Sequence, residues 1–251
     1  MIIKKFLDKV NINSYTIILI FLAFLCGLFK EITVMLIIIL IHEFGHFIMF
    51  NHYKWVVKKI NIYPFGGITF IDDNIDKPLK EEFIISVSGL IFQEILFLIV
   101  FILFKNNLLN TYIYKLFYNY NISIFLFNLL PIIPLDGSKI MNVILNKIFN
   151  FRVSFLINIG ISLVILFIFV FFFKDDSSYY LIIVFLMYQL YYNFKNRYIL
   201  YNRFILEKKL RKSPYIKYKK VNNVKNMYRN KKNLIKKNNV YYTEYRFINK
   251  K

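Results

Sequence analysis

His42-Glu43-Phe44-Gly45-His46 sets two imidazoles four residues apart, with a carboxylate next to the first. On a helix, positions four apart lie one turn above each other on one face, so both rings can reach a single metal ion. The glutamate between them can reach a water held by that ion. The surrounding run, MLIIILIHEFGHFIMF, is apolar on every side, which fits a helix buried in lipid or protein rather than an amphipathic surface helix. Two imidazoles and a carboxylate are expensive in hydrocarbon, so their presence there is a functional hypothesis by default. The chemistry implied is metal-dependent hydrolysis inside a membrane.

The elements that must position these groups are membrane spans. The chain has 251 residues, 58% of them hydrophobic and 20% aromatic, which excludes an ordinary soluble globule. The expected fold class is an all-α polytopic membrane protein of about six transmembrane helices, at roughly 14–29, 32–51, 82–104, 117–135, 153–173 and 178–194. Lys4, Lys5 and Lys9 precede the first apolar run as in a signal peptide, but no small-x-small site follows it, so it reads as an uncleaved span. Pro131 and Pro134 interrupt the fourth span, where a kink or local unwinding is expected. A helical pattern restarts after Asp136-Gly137 through Ile140, Ile144 and Ile148. Cys26 is the sole cysteine, so no intramolecular disulfide forms.

Charge orients the spans. Residues 195–251 hold 19 lysines and arginines against Glu207 and Glu244, which places this segment on the cytoplasmic side and draws it to anionic lipid headgroups. With six spans the N-terminus is also cytoplasmic. The inner loops then carry Lys54, Lys58, Lys59, Lys77, Lys80, Lys139, Lys147 and Arg152, while the outer loops carry few cations. At about 1.5 Å per residue, His42 and His46 fall in the inner half of a core about 30 Å thick. Asp136 ends the fourth span on the same side. The expected domains are a six-span domain over 1–195 and a basic cytoplasmic tail over 196–251, with no nucleic-acid recognition module. After the second span, Lys59 to Ile71 alternates around Pro64 and Gly66-Gly67, which suggests a small β-hairpin or re-entrant loop. An open strand edge there could hold a peptide in extended form.

A catalytic zinc site takes three protein ligands and leaves a position for water. His52, the only other histidine, is six residues beyond His46 and points about 240° away around the helix. The third ligand should therefore be a carboxylate, and the candidates in or at the ends of the spans are Glu94 and Asp136. Glu94 follows Ser86, Ser88, Gly89 and Gln93, residues that also serve close helix packing. Asp136, before Gly-Ser and a helical pattern, also reads as a helix N-cap.

Three motifs in order, His42 to His46, Pro64-Phe65-Gly66-Gly67 and Asn128 to Gly137 (NLLPIIPLDG), resemble the site-2 protease family of intramembrane zinc metalloproteases, peptidase family M50, and most closely its sporulation branch. The resemblance covers roughly the first 195 residues. It implies Zn2+ held by His42, His46 and Asp136, Glu43 as the catalytic glutamate, and substrate positioning by Asn128 and the hairpin glycines Gly66 and Gly67. It implies a membrane-associated protein substrate, with a sporulation transcription-factor precursor as the branch's example, and leaves inhibitory membrane partners and oligomeric state open. Where the family often has Gly-Pro-x-x-Asn, this chain has Gly89-Leu-Ile-Phe-Gln93, whose amide could still hydrogen-bond a substrate helix. The branch ends in a nucleotide-sensing CBS module; the 57 residues here are too short and polar for a complete one, so regulation by ATP is not expected.

Two other function classes fit these residues less well. A catalytically silent zinc-binding scaffold has no use for Glu43 and should show a fourth protein ligand. An ion transporter should show an internal repeat with paired broken helices, and one broken helix is visible.

Overall fold

In a computed structural model, which describes residues 2–63, 66–71, 75–172, 180–237 and 240–249, helices dominate and two three-stranded sheets accompany them. The all-α expectation is thus corrected to predominantly helical. The chain divides into two units, one of residues 1–73 and 84–129, the other of 74–83 and 130–251.

The first unit starts with α1 (Ile2–Leu7), β1 (Val10–Ile12), α2 (Ser14–Leu25) and α3 (Phe29–His52). It continues with β2 (Val57–Tyr63), β3 (Gly66–Ile71), most of α4 (Leu79–Lys105) and α5 (Thr111–Leu129). The hairpin is present: β2 and β3 pair antiparallel, with Ile62 opposite Gly67 and Tyr63 opposite Gly66. Pro64 and Phe65 of the motif lie outside the described residues. β1 adds to β2 in parallel and leaves β3 at an edge of the sheet. The Thr16 hydroxyl donates to the Ile62 carbonyl at 2.9 Å. Phe6, Ile39, Phe47, Phe50, Val57, Ile60, Ile62 and Ile85 form one apolar cluster that seats the sheet against α3 and α4.

The second unit begins at the foot of α4. It then takes up 130–135, α6 (Asp136–Ile148), α7 (Phe151–Phe172) and α8 (Tyr180–Lys195). The expected fourth span ends early. Its helix stops at Leu129, and the chain runs non-helically through Pro131 and Pro134 before α6. Buried backbone outside regular structure must find partners. Ser162 on α7 supplies them: its hydroxyl oxygen lies 3.2 Å from the Ile133 N–H and 3.1 Å from the Pro131 carbonyl.

Residues beyond 196 do not remain a solvated tail. They form α9 (Arg197–Leu210), β4 (Tyr218–Val221), a 3-10 turn (Val224–Asn226), β5 (Lys232–Lys237), β6 (Val240–Thr243) and α10 (Glu244–Asn249). Phe151, Phe204 and Met227 form their apolar centre. Polar contacts tie the segment to residues 75–82. Lys208, 2% exposed, pairs with Asp76 at 2.6 Å and with Glu244 at 3.6 Å. The Glu207 carboxylate accepts from the Ile75 and Asp76 N–H groups, and Arg229 pairs with Glu82 at 2.7 Å. Burial pushes the Glu244 carboxyl above the usual carboxylate range, while the Lys208 ammonium and the Asn233 N–H pull it back down. A charge this deep is tolerable only when paired and hydrogen-bonded, which explains why a basic segment folds here.

Three helices among the described residues, α3, α4 and α7, are long and apolar enough to cross a bilayer. At about 1.5 Å per residue each exceeds the roughly 30 Å hydrocarbon thickness. α2, α5 and α8 are shorter or more polar.

Candidate active site

The site starts with one helix. α3 buries His42, Glu43 and His46, which are 4%, 4% and 3% exposed. The helical repeat brings the two Nε2 atoms to 3.1 Å, with the rings nearly perpendicular. Each Nδ1 is held from α4. His46 Nδ1 lies 2.7 Å from the Ile85 carbonyl and His42 Nδ1 lies 3.2 Å from Gln93 Oε1. Gln93 in turn donates from Nε2 to the Asn121 carbonyl at 2.8 Å, which fixes its amide with the oxygen toward His42.

These contacts settle the tautomers. A carbonyl and an amide oxygen can only accept, so both Nδ1 atoms carry the proton. Both Nε2 lone pairs then face the same small volume at 3.1 Å. Two Nε2 atoms so placed can ligate one cation. Imidazole Nε2 is a preferred zinc donor, and outer carbonyl partners of this kind orient ligating histidines. The residues therefore fit the metal.

Glu43 faces the hairpin. Thr69 donates from Oγ1 to Glu43 Oε2 at 3.2 Å. A Cβ at Gly67 would fall 2.3 Å from Glu43 Cδ, so only glycine lets β3 approach this closely. Gly67 and Thr69 are two apart and share a face of the strand. Gly66, the first residue of β3, sits at φ +148°, a conformation that favours glycine. A Cβ at Gly89 would likewise fall 2.4 Å from His46 Nε2 and 2.8 Å from His42 Cε1. Gly89→Ala should displace the rings and lower zinc affinity by about 10–100-fold, the range seen when ligand orientation is lost. Competition with a colourimetric chelator measures it; unchanged affinity would mean that α4 yields instead.

Other sequence candidates fall elsewhere. Glu94 accepts from Asn121 Nδ2 at 3.0 Å, which occupies it with helix packing. His52 ends α3, exposed, against the Tyr53 ring. Asn128 is buried near the end of α5. Asp136 is buried, pairs with Lys139 at 2.7 Å, and is the first residue of α6; the N-cap is Leu135, so the capping reading does not hold. Gln93 is fully buried, and both ends of its amide are engaged, the oxygen with His42 and the nitrogen with the Asn121 carbonyl. Thr69 and Asn121 are site residues that the sequence analysis does not single out, and Gly89 enters it only as a small packing residue. The strand alternation that pairs Thr69 with Gly67, and the four-residue spacing of Gly89 and Gln93, were the available signals.

The sequence model of peptidase family M50 matches residues 30–118, a stretch that includes both histidines, Glu43, the hairpin and Gln93. Stage IV sporulation protein FB of Bacillus subtilis is 30% identical over 212 residues, covering 82% of this chain and 74% of that protein. The chain belongs to peptidase family M50. A second relative, a zinc metalloprotease of Methanocaldococcus jannaschii, is 30% identical over 133 residues, 51% of this chain and 38% of that protein. The solved site-2 protease from the same archaeon shares the fold, with a TM-score of 0.58 at 21% identity over 72% of this chain and 89% of that one. The M50 chain is a zinc metalloprotease of the membrane.

Proposed function

We propose that the chain hydrolyses a peptide bond of a membrane-associated protein near the cytoplasmic face, with zinc held by His42, His46 and Asp136 and with Glu43 as the catalytic acid and base. The observation that carries the reading is the pair of Nε2 lone pairs turned onto one point by Ile85 and Gln93, next to Glu43. Asp136 as third ligand is supported by its burial and by its place in NLLPIIPLDG. Zinc, when bound, supplies Lewis-acid polarisation of the scissile carbonyl and acidifies a water toward a pKa of about 7. Glu43 takes the proton of the attacking water and returns it to the leaving nitrogen. Thr69 holds one Glu43 oxygen, which directs the carboxylate. The β3 edge receives the substrate as an added strand, and Asn128 helps position it. A substrate helix must unwind first, since its carbonyls are otherwise hydrogen-bonded.

The reading extends to six spans with both termini cytoplasmic, supported by the lysine and arginine distribution. By its likeness to the sporulation protein, the substrate is a membrane-associated transcription-factor precursor, a sporulation pro-sigma factor. Co-expression with such a precursor tests this: it is cut when the protease is intact, and an uncut precursor rejects the substrate assignment. Metal removal tests the chemistry. Chelation of the purified protein should abolish cleavage and zinc alone should restore it; activity of a zinc-free sample would reject the proposed site.

A further inference from the structure

The geometry points to α9 as an in-plane membrane anchor, whose outward face lies in the headgroup layer of an anionic leaflet. Ile199, Leu206 and Leu210 are 66%, 54% and 74% exposed. Their spacings of seven and four place them within about 40° of each other around the helix. Phe204 and Lys208, at 0% and 2% exposure, lie on the opposite side and face the unit's interior. A soluble helix would put polar residues where this stripe stands. Arg203 and Lys209 border the stripe on either side. Apolar centre and cationic rim are the pattern of a helix lying at a bilayer surface.

Continuity with α8 says which occupant covers the stripe. One residue, Asn196, separates the two helices. The last turns of α8 expose Tyr188, Tyr191 and Tyr192 at 61%, 62% and 54%, and Tyr198 follows at 60%. Tyrosines grouped at one end of an apolar helix mark the headgroup level. At the junction of the two helices the Arg197 guanidinium lies 3.9 and 4.6 Å from the centroids of the Phe194 and Tyr198 rings. α9 therefore starts at the depth where an interfacial helix must lie. The segment's 19 cations against two acids complement anionic phospholipid, not a basic partner.

The test uses the full chain in vesicles. Cys26→Ser removes the sole cysteine, and Leu206→Cys or Lys225→Cys then carries a nitroxide label. Collision with oxygen, which concentrates in hydrocarbon, is compared with collision with a water-soluble nickel chelate. In vesicles of phosphatidylglycerol and phosphatidylcholine, the label at 206 should favour oxygen severalfold over the label at exposed Lys225. Omitting phosphatidylglycerol should raise nickel access at 206. Free nickel access at 206 in the mixed vesicles overturns the proposal. Shielding from both reagents also overturns it and assigns the face to a protein. Equal nickel access in the two vesicle types overturns the preference for anionic lipid.

Discussion

Glu43→Gln should leave the protein folded and zinc-loaded yet stop proteolysis. Glutamine matches the shape of glutamate and can still accept from Thr69, so the contacts of α3 with β3 persist. An amide cannot take up the proton of the attacking water. General acid-base assistance is worth about 10²–10⁴ in rate, and the residue is proposed to act twice in each turnover, so loss at the upper end of that range is expected. Metal analysis of the purified variant, run beside cleavage of a co-expressed membrane substrate, reads both halves of the claim. Continued cleavage at the wild-type rate would remove Glu43 from the chemistry. Loss of zinc along with activity would make it structural.

Asp136→Ala should empty the site. Loss of an outer partner already lowers metal affinity by about 10–100-fold, and removal of one of three ligands should exceed that. The cost to folding is small by comparison, since an acidic group in the first turn of a helix contributes about 0.3–1 kcal/mol. Zinc content should therefore fall, while thermal unfolding stays close to that of the metal-free wild-type protein. Glu94→Gln is the control, because Glu94 is engaged with Asn121 and should not affect the metal. Full zinc occupancy in Asp136→Ala with a zinc-depleted Glu94→Gln would transfer the ligand role to Glu94.

Gln93 shows where sequence reading stops. Its type and its place in the third span were visible, and an amide among apolar residues promised a hydrogen bond. Which bond it makes depends on α3 and α5 arriving on either side of α4, His42 at one end of the amide and the Asn121 carbonyl at the other. Thr69 is similar. Its alternation with Gly67 was legible as a strand face, but that the face meets Glu43 follows from a 13-residue connection whose path no local pattern specifies. The C-terminal segment misled for another reason. Net charge and polarity describe a chain in water. Lys208 and Glu244 are paid for inside the fold by partners far apart in sequence, among them Asp76.

What the amino-acid order determined alone was whatever acts within a few residues. The apolar runs required helices in a membrane, the four-residue spacing required one face for both imidazoles, and the two prolines required an interruption of the fourth span. The tertiary structure alone decided which ring nitrogens carry protons, which glycines must stay bare, and whether a polar, cationic segment folds. Those outcomes depend on distances of a few ångströms between groups tens of residues apart, and such distances exist only once the chain has closed on itself.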